Sequence, residues 1–233
     1  ADRVGRPVTV RIIPVTLGFD QCYLLQAGGV VLVDAGVPGK ARAFVKALDR
    51  AGIAPRDVKL IVVTHGHWDH IGSARDIRKL TGARLALHER EAPWLENSFA
   101  PMPPGATAWG RILGGILSVC MPFVKIPACR VDLKLGNEGL PLAVYGIPGK
   151  VLHTPGHSAG SVSVLLDSGE AFVGDLAMNR FPLRLTPGLP IFAEDPSGVK
   201  ESWSLLLAQG ARMIYPAHGK PFSADVLRKA LAG

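Results

Sequence analysis

Three of the chain's seven histidines fall within six residues, in the run Thr64-His65-Gly66-His67-Trp68-Asp69-His70, and a carboxylate sits among them. Neutral imidazoles and an ionised carboxylate crowded this closely gain most by sharing cations, so the run reads as part of a metal site.

The neighbouring sequence says how such a run is held. Lys59 to Val63 is a short, β-branched apolar stretch that reads as a buried strand, and Ile71 to Leu80 reads as a helix closed by Thr81-Gly82. The histidine run is therefore a strand-to-helix turn. Residues i and i+2 leaving a strand point the same way, so His65 and His67 can grip one cation, while Asp69 and His70 at the helix entrance face a neighbouring position. Further donors occur at His157 in Thr154-Pro155-Gly156-His157, at Asp175 in Val173-Gly174-Asp175 and at His218 in Pro216-Ala217-His218-Gly219. Each follows an apolar, strand-like stretch and sits beside Gly or Pro, as expected where several strand ends converge on one sheet edge. Cys22, Cys120 and Cys129 lie outside all of these segments. The donors are imidazole and carboxylate, which suits zinc, iron or manganese and argues against a closed thiolate site.

Five segments in order, Val31-Leu32-Val33-Asp34-Ala35-Gly36, the HxHxDH run, Thr154-Pro155-Gly156-His157, Gly174-Asp175 and Pro216-Ala217-His218-Gly219, resemble the metallo-β-lactamase superfamily of metal-dependent hydrolases. The resemblance spans nearly the whole chain. It implies a four-layer αββα sandwich and two divalent cations per chain, zinc first, with manganese and iron as alternatives. It further implies that His65, His67 and His157 bind the first metal, that Asp69, His70 and His218 bind the second, and that Asp175 bridges them. Two such cations lower the pKa of a bridging water to near neutrality, and Asp69 is expected to orient the resulting hydroxide as a catalytic residue. Asp34 is either a carboxylate supporting the site or a helix-capping residue.

The expected activity is hydrolysis of a small ester, thioester, lactone or phosphodiester. The alternative is an oxidoreductase resembling persulfide dioxygenase, with one iron held by His65, His157 and Asp175. The β-lactam-hydrolysing branch commonly has cysteine where this chain has Asp175, which argues against antibiotic hydrolysis. Trp68 within the run resembles the glyoxalase II branch, yet the sequence ends fifteen residues after His218, without that branch's C-terminal helical extension. Quorum-signal lactonases of the family usually carry tyrosine near Met178. For a leaving-group acid, His153, Tyr215 and Tyr145 are weak candidates, and His88 and His153 read as packed or surface histidines.

Strands are expected at Val8 to Ile13, Gln21 to Gln26, Val30 to Asp34, near Leu60, at Arg84 to Leu87, near Val151, at Ser161 to Leu166, at Ala171 to Val173 and near Met213. Helices are expected from about Lys40 to Ala51, from Ile71, near Glu89, from Asp195-Pro196 through about Gln209, and at the C-terminus. Residues 1–233 read as a single domain with an insertion at about 93–150. Within that insertion, the apolar stretch Ile112 to Val124 is too short to span a bilayer. It reads as a buried helix covering the sheet, with a substrate lid, a homodimer contact or a membrane-surface anchor as alternatives.

Composition fits a globular domain: 48% of the residues are hydrophobic, enough for a full core. The net charge of +7 is spread along the chain and only 6% of residues are aromatic, which argues against a nucleic-acid binder. Arg180, Arg184 and Lys220 follow ligand positions and could attract an anionic small-molecule substrate, one that carries an apolar acyl part in a further reading. Three cysteines without framework spacing suggest a reducing compartment such as the cytoplasm, although an opening Ala1 also suits a processed chain.

Overall fold

The computed structural model describes residues 9–99 and 101–233. In the first sheet, β1 (Arg11–Thr16), β2 (Gln21–Gln26), β3 (Val30–Val33), β4 (Val58–Val62), β5 (Arg84–His88) and β6 (Leu133–Leu135) lie in sequence order. The first three strands are antiparallel neighbours; β3 to β6 pair in parallel. Parallel pairing requires crossovers, and helices α1 (Ala41–Ala51) and α3 (Ala74–Thr81) supply two of them. A second sheet has the order β12 (Phe222–Ser223), β11 (Met213–Pro216), β10 (Glu170–Gly174), β9 (Val162–Leu166), β8 (Gly149–His153) and β7 (Leu140–Pro141).

Alternation along the strands decides the layering. In β2 and β3, Tyr23, Leu25, Val31 and Val33 point to one face and meet Val151, Val162, Val164 and Phe172 of the second sheet, which forms the inter-sheet core. The opposite face of the first sheet, with Leu24, Leu32 and Ile61, packs on Phe44 and Leu48 of α1 and Ile77 of α3. Ala171, Val173 and Ile214 on the outer face of the second sheet pack on Trp203 and Leu206 of α6 (Pro196–Ala208) and Leu227 of α7 (Asp225–Ala232). The result is the expected αββα sandwich.

Several local expectations shift. The first strand starts at Arg11 and runs through Pro14, because β1 is a sheet edge whose free side tolerates the missing N–H; Val8 lies outside the described residues. The helix expected from Ile71 is divided into α2 (Trp68–Ile71) and α3, with Gly72 and Ser73 between. Ser73 Oγ donates to Val37 O at 2.6 Å and accepts from Lys40 N–H at 2.8 Å, so the break is anchored to the loop after β3. The strands β7 and β12 have two residues each, too few for a periodic signal.

Of the range expected as an insertion, β6, β7 and the start of β8 belong to the two sheets, and the apolar stretch falls in α5 (Ala108–Cys120) and a single 3-10 turn after it, beyond the short α4 (Ala92–Glu96). It is not the buried helix expected from its composition. Gly110 alone is fully buried within it; Leu113 and Leu117 rest on Met178, Ile191 and Phe192, and the rest of the helix faces solvent. A helix apolar on both sides can cover a cleft without sinking into the core.

Candidate metal centre

The strands of both sheets release their ends toward one edge. After β4, Thr64 turns the chain so that His65 and His67 leave on the same side, and α2 then presents Asp69 and His70. His157 follows β8 on a tight loop, Asp175 follows β10 directly, and His218 follows β11. At Gly174 the backbone adopts φ +54, and a Cβ there would lie 2.4 Å from Thr64 Oγ1, so only glycine lets the Asp175 turn close against the histidine run.

All seven candidate donors converge, and all are buried. His67 Nδ1 and His157 Nε2 are 3.0 Å apart, and His157 Nε2 and His65 Nε2 are 3.1 Å apart. Tetrahedral ligation at ~2.0–2.1 Å would place nitrogens roughly 3.3 Å apart, so this spacing fits three imidazoles around one cation. Asp175 faces both groups: Oδ2 lies 3.8 Å from His157 Nε2, while Oδ1 lies 3.5 Å from His70 Nε2 and 3.3 Å from His218 Nε2. Asp69 Oδ2 is 3.5 Å from His218 Nε2. His70 Nε2 and Asp175 Oδ1 are buried without a hydrogen-bond partner among protein atoms. Such atoms are costly unless something else satisfies them, and a cation between them would.

The supporting shell divides the histidines electrostatically. Burial, followed by neighbouring imidazoles, holds His65 well below the usual histidine range and pulls His67 down to about 3. Burial likewise lowers His157, whose Nδ1–H donates to Phe192 O at 2.9 Å and leaves Nε2 free to ligate. These three are neutral donors. At His70, burial also opposes the charge, but the carboxylates of Asp34, Asp175 and Asp69 outweigh it and raise the group; Asp175, Asp69 and Asp20 do the same for His218. Asp175 is held well below the carboxylate range despite burial, chiefly by His218 and His70. Two neutral imidazoles facing a third suit one cation, and imidazoles backed by carboxylates suit a second.

Asp34 belongs to this shell. It lies 3.0 Å from His70 Nδ1 and accepts from Thr64 N–H at 2.7 Å, while α1 begins at Ala41, so the capping alternative falls away. Two residues carried no sequence signal. Asp20, fully buried in the loop between β1 and β2, has its Oδ1 3.4 Å from His218 Nδ1 and forms a four-residue donor group with Asp69, His70 and His218. Glu91, also fully buried, accepts from Gly66 N–H and, at 2.8 Å, from Gly160 N–H, tying the histidine run to the His157 loop. Neither lies in a motif; a lone acid before α4 or in a β-turn looks like surface until the fold encloses it.

The remaining candidates fall as follows. His88 is buried and stacked on His153 at 4.5 Å, away from the centre. Tyr215 packs on Tyr23 and Phe172 between the sheets, and His153 and Tyr145 are also absent from the cleft lining, so none of the three acid candidates reaches the site. Arg180 lines the cleft, whereas Arg184 turns back onto Thr186 O and Leu189 O, and Lys220 is not in the lining. The cleft itself, about 390 Å³, has His67, Asp69, His157, Asp175 and His218 at its floor and Phe19, Trp68, Met102, Leu117, Met178 and Phe181 on its walls.

The family pattern of the metallo-beta-lactamase superfamily matches residues 15–218, and the chain belongs to that superfamily. It is 25% identical over 219 residues to the probable metallo-hydrolase YflN of Bacillus subtilis, covering 86% of this chain and 79% of that one. It is 26% identical over 172 residues to the hydroxyacylglutathione hydrolase GloC of Haemophilus influenzae, covering 72% of each. Among solved structures, the BLEG-1 B3 metallo-beta-lactamase shares the fold with a TM-score of 0.69 at 24% identity, over 97% of this chain and all of that one. Both relatives are named as hydrolases, one of them as a probable metallo-hydrolase, and this chain has histidine and aspartate groups able to bind metal.

Proposed function

We propose that the protein is a dinuclear metallo-hydrolase built to cleave a small carboxylic ester, thioester or lactone, with phosphodiesters as the remaining class. One observation carries this reading: the two oxygens of Asp175 are directed to different histidine groups, Oδ2 toward His157 and Oδ1 toward His70 and His218. His65, His67 and His157 would hold one ion, and Asp69, His70 and His218 the other, zinc being the first choice for this donor set. Two divalent cations held there would supply Lewis acidity and a hydroxide nucleophile at neutral pH.

The chain's own residues do the rest. Asp175 would offset charge on both sides, and Asp69, which lines the cleft 3.5 Å from His218 Nε2, would accept a hydrogen bond from a water nucleophile and orient it. Apolar walls exclude bulk water and strengthen these charges. Apart from the donors themselves, Arg180 is the one ionisable side chain among the described residues that lines the cleft, and it cannot serve as an acid. Since no other proton donor for the leaving group lines the cleft among the described residues, thiolates and other good leaving groups are favoured over simple alkoxides.

Metal analysis of the purified protein, combined with chelation, reconstitution and a panel of ester, thioester, lactone and phosphodiester substrates, tests the reading. Close to two ions per chain and metal-dependent hydrolysis are expected. A single iron with oxygen-dependent turnover would replace it with the dioxygenase alternative.

A further inference from the structure

The outward side of α5 is unused by the site and unusually apolar. Trp109, Ile112, Ile116, Val119 and Phe123 recur at intervals of three and four residues, so they form one stripe along the helix and the turn that follows it. Ile112 and Ile116 are each 58% exposed, Val119 71% and Phe123 83%. Across the cleft mouth, Phe181 and Leu185 are also exposed, and Trp109 Nε1–H donates to Pro182 O at 3.0 Å, joining the two segments. The inner side of the same helix, Leu113 and Leu117, lines the cleft. Exposed apolar residues scattered singly need no explanation, but a stripe joined to a second apolar loop around a cleft mouth does.

Charge identifies the occupant. Residues 97–131 and 176–193 contain no Asp or Glu, and Arg111 and Lys125 are exposed cations there, while Arg180 lines the cleft, Arg130 lies near Glu96 and Asp132, and Arg184 is held by Thr186 O and Leu189 O. The carboxylates Asp69 and Asp175 lie on the cleft floor instead. A second copy meeting this face about a two-fold axis would set these cations against themselves. An apolar stripe accompanied by cations alone fits a surface that is apolar inside and anionic outside.

We propose that α5 and the loop around Phe181 and Leu185 form a docking surface for an anionic lipid bilayer, with the stripe entering the interface and the cleft mouth opening onto it. The surface does not depend on which reaction the centre performs. The attachment proposed is peripheral; no helix among the described residues is long and apolar enough to cross a membrane.

Co-sedimentation of the full chain with phosphatidylcholine vesicles, with and without phosphatidylglycerol, tests the proposal. Binding about tenfold or more stronger to the anionic vesicles, weakened by high salt, is expected. The double variant Ile116→Asp and Val119→Asp, at exposed positions and with an unchanged melting temperature as the check on folding, should lose binding, and Arg111→Ala should weaken it on anionic vesicles alone. Absence of binding to either vesicle overturns the proposal. So does a dimer in sizing experiments that the double variant dissolves, which would assign the stripe to a second copy.

Discussion

Asp34 Oδ2 lies 3.0 Å from His70 Nδ1, both side chains buried, and the Asp34 backbone reaches this position only by adopting φ 62. A non-glycine residue in the left-handed region is held there by its surroundings, here the bonds from Thr64 N–H and Oγ to the same carboxylate. The pair fixes which ring nitrogen of His70 remains available at the centre.

Asp34→Asn keeps a side chain that tolerates the left-handed backbone but removes the charge behind His70. Metal affinity is expected to fall about 10- to 100-fold, measured by competition with a chelator. Unchanged affinity would show that Asp34 serves the turn alone.

Asp175→Asn retains shape while removing the charge shared by both donor groups. Metal content should drop by one or both ions, and kcat by about 10²-fold or more. His88→Gln, remote from the centre, is the control and should leave metal content unchanged. Full occupancy and normal turnover in Asp175→Asn would remove the bridge from the assignment.

Glu91 is the buried tie between the two ligand loops. Burial raises its pKa, offset in part by Ser158 and the Gly66 and Gly160 amides. Glu91→Ala leaves both N–H groups without an acceptor, and a loss of about 2–4 kcal/mol is expected in thermal or denaturant unfolding of the metal-free protein. Glu91→Gln, retaining one acceptor, should lose less.

Arg78 forms a two-bond pair with Asp132, at 2.8 and 2.7 Å, and Leu85 N–H adds a third bond at 2.9 Å. Partial burial opposes ionisation of Asp132, but these bonds win and hold its carboxyl below the usual range. A depressed carboxylate stabilises the fold above its unfolded pKa of about 3.9, and that stability is lost as pH falls through the folded value. Asp132→Asn should therefore cost about 1 kcal/mol at neutral pH, after allowing for solvent screening. The gap between variant and parent should close below about pH 4. A gap independent of pH would assign the effect to packing.

Leu117 sits on the inner side of α5, over the cleft. Leu117→Asp should raise KM for a substrate with an apolar acyl group more than for a small one, with metals still bound. An equal rise for both, with a lowered melting temperature, would mean that the helix supports the fold without touching substrate.

The candidate metal donors were legible in the sequence because such donors must be specific residue types, and because a strand that ends in a ligand imposes a short apolar run followed by Gly or Pro. His157, Asp175 and His218 satisfy that local rule, and His65, His67, Asp69 and His70 share the one run that follows β4. The alternating strands and the αββα layering were legible for a similar reason, since the period of burial is written locally. Asp20 and Glu91 obey no local rule. Their burial arises when the loop after β1 folds over His218 and when α4 closes against Gly66 and Gly160, contacts made across 198, 25 and 69 residues of chain. Tertiary structure alone also decided the fate of Ile112 to Val124. Hydropathy records that a segment avoids water in isolation; whether a core, a cleft or an outside surface receives it depends on what the rest of the chain has already covered.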